Sequence, residues 1–136
     1  MSKVVRIDHV AMVVDDLEAT LKFWRDGLGL ELSQIEEAPG EHSTVAFLPV
    51  GGSKVELVQP SGEDSGLRRY LEKRGPGMHH LCLEVDDIEG MIKELRAKGI
   101  QMINESAVSG ADGRKYAFIH PKSANGVLVE LYELAA

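Results

Sequence analysis

One phrase is written twice in this chain. Ile7-Asp8-His9-Val10-Ala11-Met12-Val13-Val14-Asp15-Asp16 is matched by Met78-His79-His80-Leu81-Cys82-Leu83-Glu84-Val85-Asp86-Asp87, with His9 recurring as His80 and Asp15 as Asp86, both 71 residues on. The same offset carries Ala46-Phe47 onto Ala117-Phe118, and an offset of 74 carries Val55-Glu56-Leu57 onto Val129-Glu130-Leu131. A repeat of this kind implies two copies of one supersecondary unit, neither large enough to bury a core well alone. The expectation is a single domain over 1–136, with one module at 4–59, a linker at 60–77 and a second module at 78–136.

Each copy reads as strand, helix, then three strands. Val4 to Val14 alternates, with Val10, Met12 and Val14 on one face and Ile7, His9, Ala11 and Val13 on the other. Asp15 is the expected helix N-cap, with Glu18 in capping-box position, and Leu17, Leu21, Trp24 and Leu28 follow at helical spacing before Gly27 and Gly29 stop the helix. Strands are expected over Glu31–Ile35, Thr44–Val50 and Lys54–Gln59, with a turn or loop at Ala38-Pro39-Gly40-Glu41 and a hairpin at Gly51-Gly52. The linker holds a polar loop, Ser61 to Gly66, and a short helix, Leu67 to Lys73, broken by Gly75-Pro76-Gly77. The second module then predicts a strand over 78–85 and an N-cap at Asp86 with Glu89 in box position. A helix bearing Ile88, Ile92 and Leu95 should end at Gly99, followed by strands near 100–104, 115–120 and 127–133.

The net charge of −7, with no Lys/Arg run, argues against nucleic acid and anionic membranes as partners. The single cysteine, Cys82, excludes an internal disulfide and fits a reducing cytoplasm. No signal-like pattern opens the chain and no apolar run approaches membrane-spanning length.

Strand parity places Glu56 opposite Val55 and Leu57, and Glu130 opposite Val129 and Leu131. If the apolar faces carry the helices, then His9, Glu56, His80 and Glu130 share the other side. Converging carboxylates need compensation, which a divalent cation supplies. Two imidazoles and two carboxylates suit Co, Mn, Zn, Ni or Mg, and on an octahedral ion they leave two positions open. By the same parity His79 lies with Leu81 and Leu83 and is read as a structural residue or a supporting contact. His42 is read as a solvated loop residue, Cys82 as a small core filler, and His120 as a substrate or supporting contact.

These features resemble the vicinal oxygen chelate superfamily, and within it the epimerases of acyl-CoA thioesters. The resemblance rests on Ile7 to Ala11, Gly77 to Leu81, Val85 to Ile88, His120-Pro121-Lys122 and Gly126 to Leu131, and it covers nearly the whole chain. It implies an α+β fold of two tandem βαβββ modules, curled into an open, half-barrel-like mixed sheet with helices on the outer face. It also implies a bound divalent metal, cobalt foremost, with His9, Glu56, His80 and Glu130 as ligands. Glu130 would double as catalytic base, the substrate would be a small acyl-CoA, and the assembly a homodimer.

One departure touches the mechanism. Some members carry a second glutamate on the strand around Val45-Ala46-Phe47, where this chain has Thr44; Glu41 and Lys115, the latter 71 residues beyond Thr44, are the substitutes on offer. No phosphate-binding glycine loop is visible, since Gly51-Gly52 and Gly110 to Gly113 read as turns; Arg114, Lys115 and Lys122 are candidate phosphate contacts. The alternative readings are a glyoxalase I-type lactoylglutathione lyase, with the same ligand set, and a non-catalytic small-molecule-binding protein of the same fold.

Overall fold

Alternation makes β1 of Val4–Val13, and an Asp-Asp pair then turns the chain into a helix. In the computed structural model, which describes residues 2–38, 42–62, 65–110 and 113–134, the order is β1, α1 (Leu17–Leu21), β2 (Gln34–Ala38), β3 (Ser43–Val50), β4 (Ser53–Pro60), α2 (Gly66–Arg74), β5 (Gly77–Val85), α3 (Ile88–Ala97), β6 (Val108–Ser109), β7 (Lys115–Ile119) and β8 (Val129–Glu133). Parts of three expected loops, at 39–41, 63–64 and 111–112, lie outside the described residues. The eight strands form one mixed sheet in the order β2-β3-β4-β1-β5-β8-β7-β6, with three α-helices, an α+β architecture. β1 pairs with β4, and β5 with β8, in parallel; β3 pairs antiparallel with β2 and β4, and β7 with β6 and β8. No helix among the described residues is long and apolar enough to cross a membrane.

The chain divides into two compact units, His9–His79 and Met1–Asp8 with His80–Ala136. In the first, Leu17 and Leu21 of α1 pack with Val14, Ala46, Leu48 and Leu57. In the second, Ile88, Met91 and Ile92 of α3 pack with Val85, Ala117 and Leu131. Each fully buried aliphatic side chain of this kind stabilises the fold by roughly 1.5–3 kcal/mol.

Both helices start one residue later than expected. Val14 N–H still donates to Val58 O at 2.9 Å, which holds the strand path through that residue, and Asp16 becomes the N-cap by accepting from Ala19 N at 3.1 Å. In the second unit Asp86 is engaged by Lys3, donating its N–H to Lys3 O and accepting from Lys3 N at 2.8 Å, so capping falls to Asp87, which accepts from Gly90 N. Gly99 (φ +81°) just past α3 supplies the left-handed residue that ends it.

Three other expectations shift. After Leu21 the helix widens into a π segment, Lys22–Gly27, with Leu28 N–H bonding to Phe23 O. The wider turn carries Leu28 off the apolar stripe, leaving it 55% exposed, and Leu30 and Leu32 pack on the core instead, which displaces β2 to Gln34–Ala38. The strand expected near 100–104 is reduced to one bridge, Met102 to Ile119. Asn104 Oδ1 accepts from Phe118 N at 2.7 Å, taking the place of a backbone carbonyl, and the edge strand forms later, as β6.

Candidate metal centre

Each unit places a His–Glu pair on two parallel strands. Met12 of β1 and Val14 just past its end face α1, so His9 and Ala11 face away from it. On β4, Val55 and Leu57 face the helix, and Glu56, the register partner of Ala11, faces away. His9 Nδ1 and Glu56 Oε2 lie 3.2 Å apart, with side chains 10% and 14% exposed. In the second unit Leu83 and Val85 face α3, His80 and Cys82 face away, and Glu130 is the register partner of Cys82. His80 Nε2 and Glu130 Oε1 lie 3.1 Å apart, with side chains 14% and 15% exposed. The triple His9–Ala11–Glu56 therefore recurs as His80–Cys82–Glu130, in the same register.

The spacing within each pair suits a shared ion. Two ligand atoms bonded at about 2.1 Å and separated by about a right angle lie about 3 Å apart, the distance seen in both pairs. An imidazole nitrogen with a carboxylate oxygen also matches the preferences of a borderline-to-hard divalent cation. The donor set fits such an ion.

The flanking residues are equally ordered. Phe47 and Phe118 are the β3 and β7 partners of Glu56 and Glu130, and the Phe118 ring stands edge-on to His80 with centroids 5.9 Å apart. Cys82, wholly buried, lies beside Glu130 as a small filler, where Ala11 stands in the other unit. His79 packs its ring edge on Tyr70 of α2, 4.7 Å between centroids, a structural role. His42 is an exposed turn residue with φ 53°. His120 Nδ1 accepts from Lys122 N at 3.0 Å and caps the 3₁₀ turn Pro121–Ser123, so it serves that turn.

Strand parity excludes Lys115 as the second base and turns Thr44, which stands where some members carry a glutamate, the same way. Thr44 alternates onto the face of Ala46 and Leu48, and Lys115 onto that of Ala117 and Ile119, the faces covered by α1 and α3. Lys115 is by the same argument removed from the candidate phosphate contacts. Glu41 lies outside the described residues. The neighbours of Thr44 and Lys115 have a role that sequence reasoning missed. Gln59, partner of Thr44, accepts from Leu17 N at 2.7 Å, and Glu133, partner of Lys115, accepts from Ile88 N at 2.8 Å. The offset of 74 maps one onto the other and was the available signal.

A duplicated strand-helix-three-strand unit with a His–Glu pair in each copy defines a class of paired-module α+β proteins with a candidate divalent-metal centre. Residues 8–118 match the glyoxalase/bleomycin resistance protein/dioxygenase superfamily. The mitochondrial methylmalonyl-CoA epimerase of Mus musculus is 42% identical over 95% of this chain and 73% of its own length. Among solved structures, methylmalonyl-CoA epimerase from Mycobacterium tuberculosis superposes with a TM-score of 0.86 at 36% identity, covering 98% of this chain and 90% of that one. A variant of the Streptomyces coelicolor methylmalonyl-CoA epimerase, in complex with 2-nitronate-propionyl-CoA, has a TM-score of 0.86 at 32% identity, covering 98% and 100%. The chain belongs to this superfamily and, within it, to the methylmalonyl-CoA epimerase family, a family of isomerases.

Proposed function

We propose that the chain interconverts the two epimers of methylmalonyl-CoA by removing the proton alpha to the thioester and returning it from the other side. The observation that carries the reading is the recurrence of one His–Glu pair, in one register, in both units. His9, Glu56, His80 and Glu130 would together hold a divalent cation, cobalt first among Co, Mn, Zn, Ni and Mg by family likeness. When bound, that ion supplies Lewis-acid stabilisation of the negative charge developing on the thioester oxygen. Glu130 takes the alpha proton: one of its oxygens faces His80 at 3.1 Å, and a carboxylate has two. Its limited exposure, 15%, keeps bulk water from competing for that proton. With Lys115 turned to the helix layer, Glu41 is the remaining substitute offered by the sequence as the base for the opposite face of the carbanion. The substrate's carboxylate and thioester oxygens are hard donors of the kind such an ion would accept beside these residues. We place the protein in the cytoplasm as a homodimer, the first from its single buried cysteine and the second from its family.

The test is incubation of metal-loaded protein with one epimer of methylmalonyl-CoA in deuterated water. Alpha-deuterium incorporation together with appearance of the other epimer is expected. Absence of exchange, with turnover of a glutathione hemithioacetal instead, would assign the site to a lactoylglutathione lyase. Absence of both, with cation binding intact, would assign it to a binding protein of the same fold.

A further inference from the structure

Outside the His–Glu pairs the two units diverge on the face away from their helices. Where the first unit has Ser43, Val45 and Val58, the second has Arg114, Tyr116 and Tyr132 at the matching offsets. Ser43 and Val45 are buried, whereas Tyr116 and Tyr132 are half-buried and Arg114 is exposed. The result in the second unit is a continuous row beside Glu130. His80 meets Phe118 edge-on, Phe118 meets Tyr116 with centroids 6.1 Å apart, Tyr132 is the cross-strand partner of Tyr116, and the Arg114 guanidinium carbon stands 5.4 Å from the centre of the Tyr132 ring.

We propose that Arg114, Tyr132 and Tyr116 form the subsite for the phosphorylated nucleotide end of the CoA thioester. The inference rests on the acyl-CoA reading of the Glu130 site and adds the direction in which the substrate leaves it. Phe118, the partner of Glu130, and Arg114 are four positions apart, about 13 Å along a strand. A CoA thioester needs such a span, because its pantetheine arm separates the reacting carbon from the diphosphate. A guanidinium presents its donors as a planar fork suited to phosphate oxygens, and a tyrosine ring beneath it limits its motion. The tyrosine rings between give an apolar floor with polar tips, suited to an amide-bearing arm. A chain of net charge −7 needs a local cation to accept a polyanionic tail. Lys115 lies on the opposite face, and Lys122 sits on the 3₁₀ turn off this row.

Calorimetric titration of the metal-loaded protein with CoA and with pantetheine tests the subsite without depending on turnover. The wild type should bind CoA at least tenfold more tightly than pantetheine, with the advantage shrinking as salt is raised. Arg114→Gln should erase most of that advantage and leave pantetheine binding unchanged. Tyr132→Phe should retain it, Tyr132→Leu should reduce it, and Lys122→Gln should leave it intact. Circular dichroism should show native folding in each, since the substituted groups are exposed or half-buried. Equal wild-type affinity for CoA and pantetheine, an unchanged preference in Arg114→Gln, or equal weakening toward both ligands would overturn the proposal. Failure of the epimerase reading would appear separately, as missing alpha-proton exchange in the wild type.

Discussion

Gln59 and Glu133 occupy the same point of the two units, three residues beyond Glu56 and Glu130, and each accepts the first N–H of its helix, from Leu17 at 2.7 Å and from Ile88 at 2.8 Å. One is neutral and one carries a carboxyl group, yet the geometry is shared. The requirement is thus an acceptor oxygen at a helix N-terminus, which would otherwise leave a half-buried donor unpaired.

Removal of that oxygen should be costly and its exchange should not. Gln59→Ala and Glu133→Ala are each expected to lose about 1–2 kcal/mol of stability, whereas Glu133→Gln should lose much less, because an amide oxygen accepts the same bond. Urea denaturation midpoints at constant slope would check both statements; equal losses in the alanine and glutamine variants would contradict them.

The observed caps make a sharper distinction. Asp16→Ala and Asp87→Ala should each cost about 1 kcal/mol through loss of the bonds to Ala19 N and Gly90 N. Asp15→Ala, at an exposed position one residue earlier, should fall within about 0.5 kcal/mol of the parent. Thermal melts of the three variants would read the difference directly.

Cation binding should stabilise the native state. At a hundredfold excess of free ion over its dissociation constant, cobalt or manganese should add about 2.7 kcal/mol to metal-stripped protein, raising the melting temperature by several degrees. His80→Ala should abolish most of that rise and lower alpha-proton exchange at least hundredfold. A melting temperature indifferent to metal in the parent chain would count against the centre itself.

The two carboxylates proposed for proton transfer, Glu130 and Glu41, should separate kinetically. Glu41→Gln is expected to retain deuterium wash-in from one epimer while slowing appearance of the other by a factor of about 100 or more, the scale of a lost general base. Glu130→Gln should suppress exchange from both epimers, because it alters the proposed metal ligand and the proposed base together. Proton NMR of each epimer in deuterated water would follow both processes.

Much of this architecture was legible before any coordinates, for a physical reason. Alternation in the strands around His9, Glu56, His80 and Glu130 sets their facing, and a one-residue slip would have moved Val55, Leu57, Val129 and Leu131 out of the core. What escaped was set by tertiary partners. Glu18 and Glu89 favoured caps at Asp15 and Asp86, but strand pairing at Val14 and the bonds to Lys3 engaged those segments first. Leu28 obeys α-helical spacing and is exposed because the helix widens before reaching it. Thr44 and Lys115 looked like base positions from sequence alignment alone, yet their parity with Ala46 and Ala117 turns them to the other face.

Cys82 offers a last consequence. Its sulfur lies in the middle of β5 with no exposed surface, one strand from Glu130. A thiol-labelling reagent in the surrounding solution can reach it only when that part of the sheet parts from its neighbours. The rate of labelling is then a clock for local opening around His80 and Glu130, and ligands that knit the strands together should slow it in proportion to how tightly they hold.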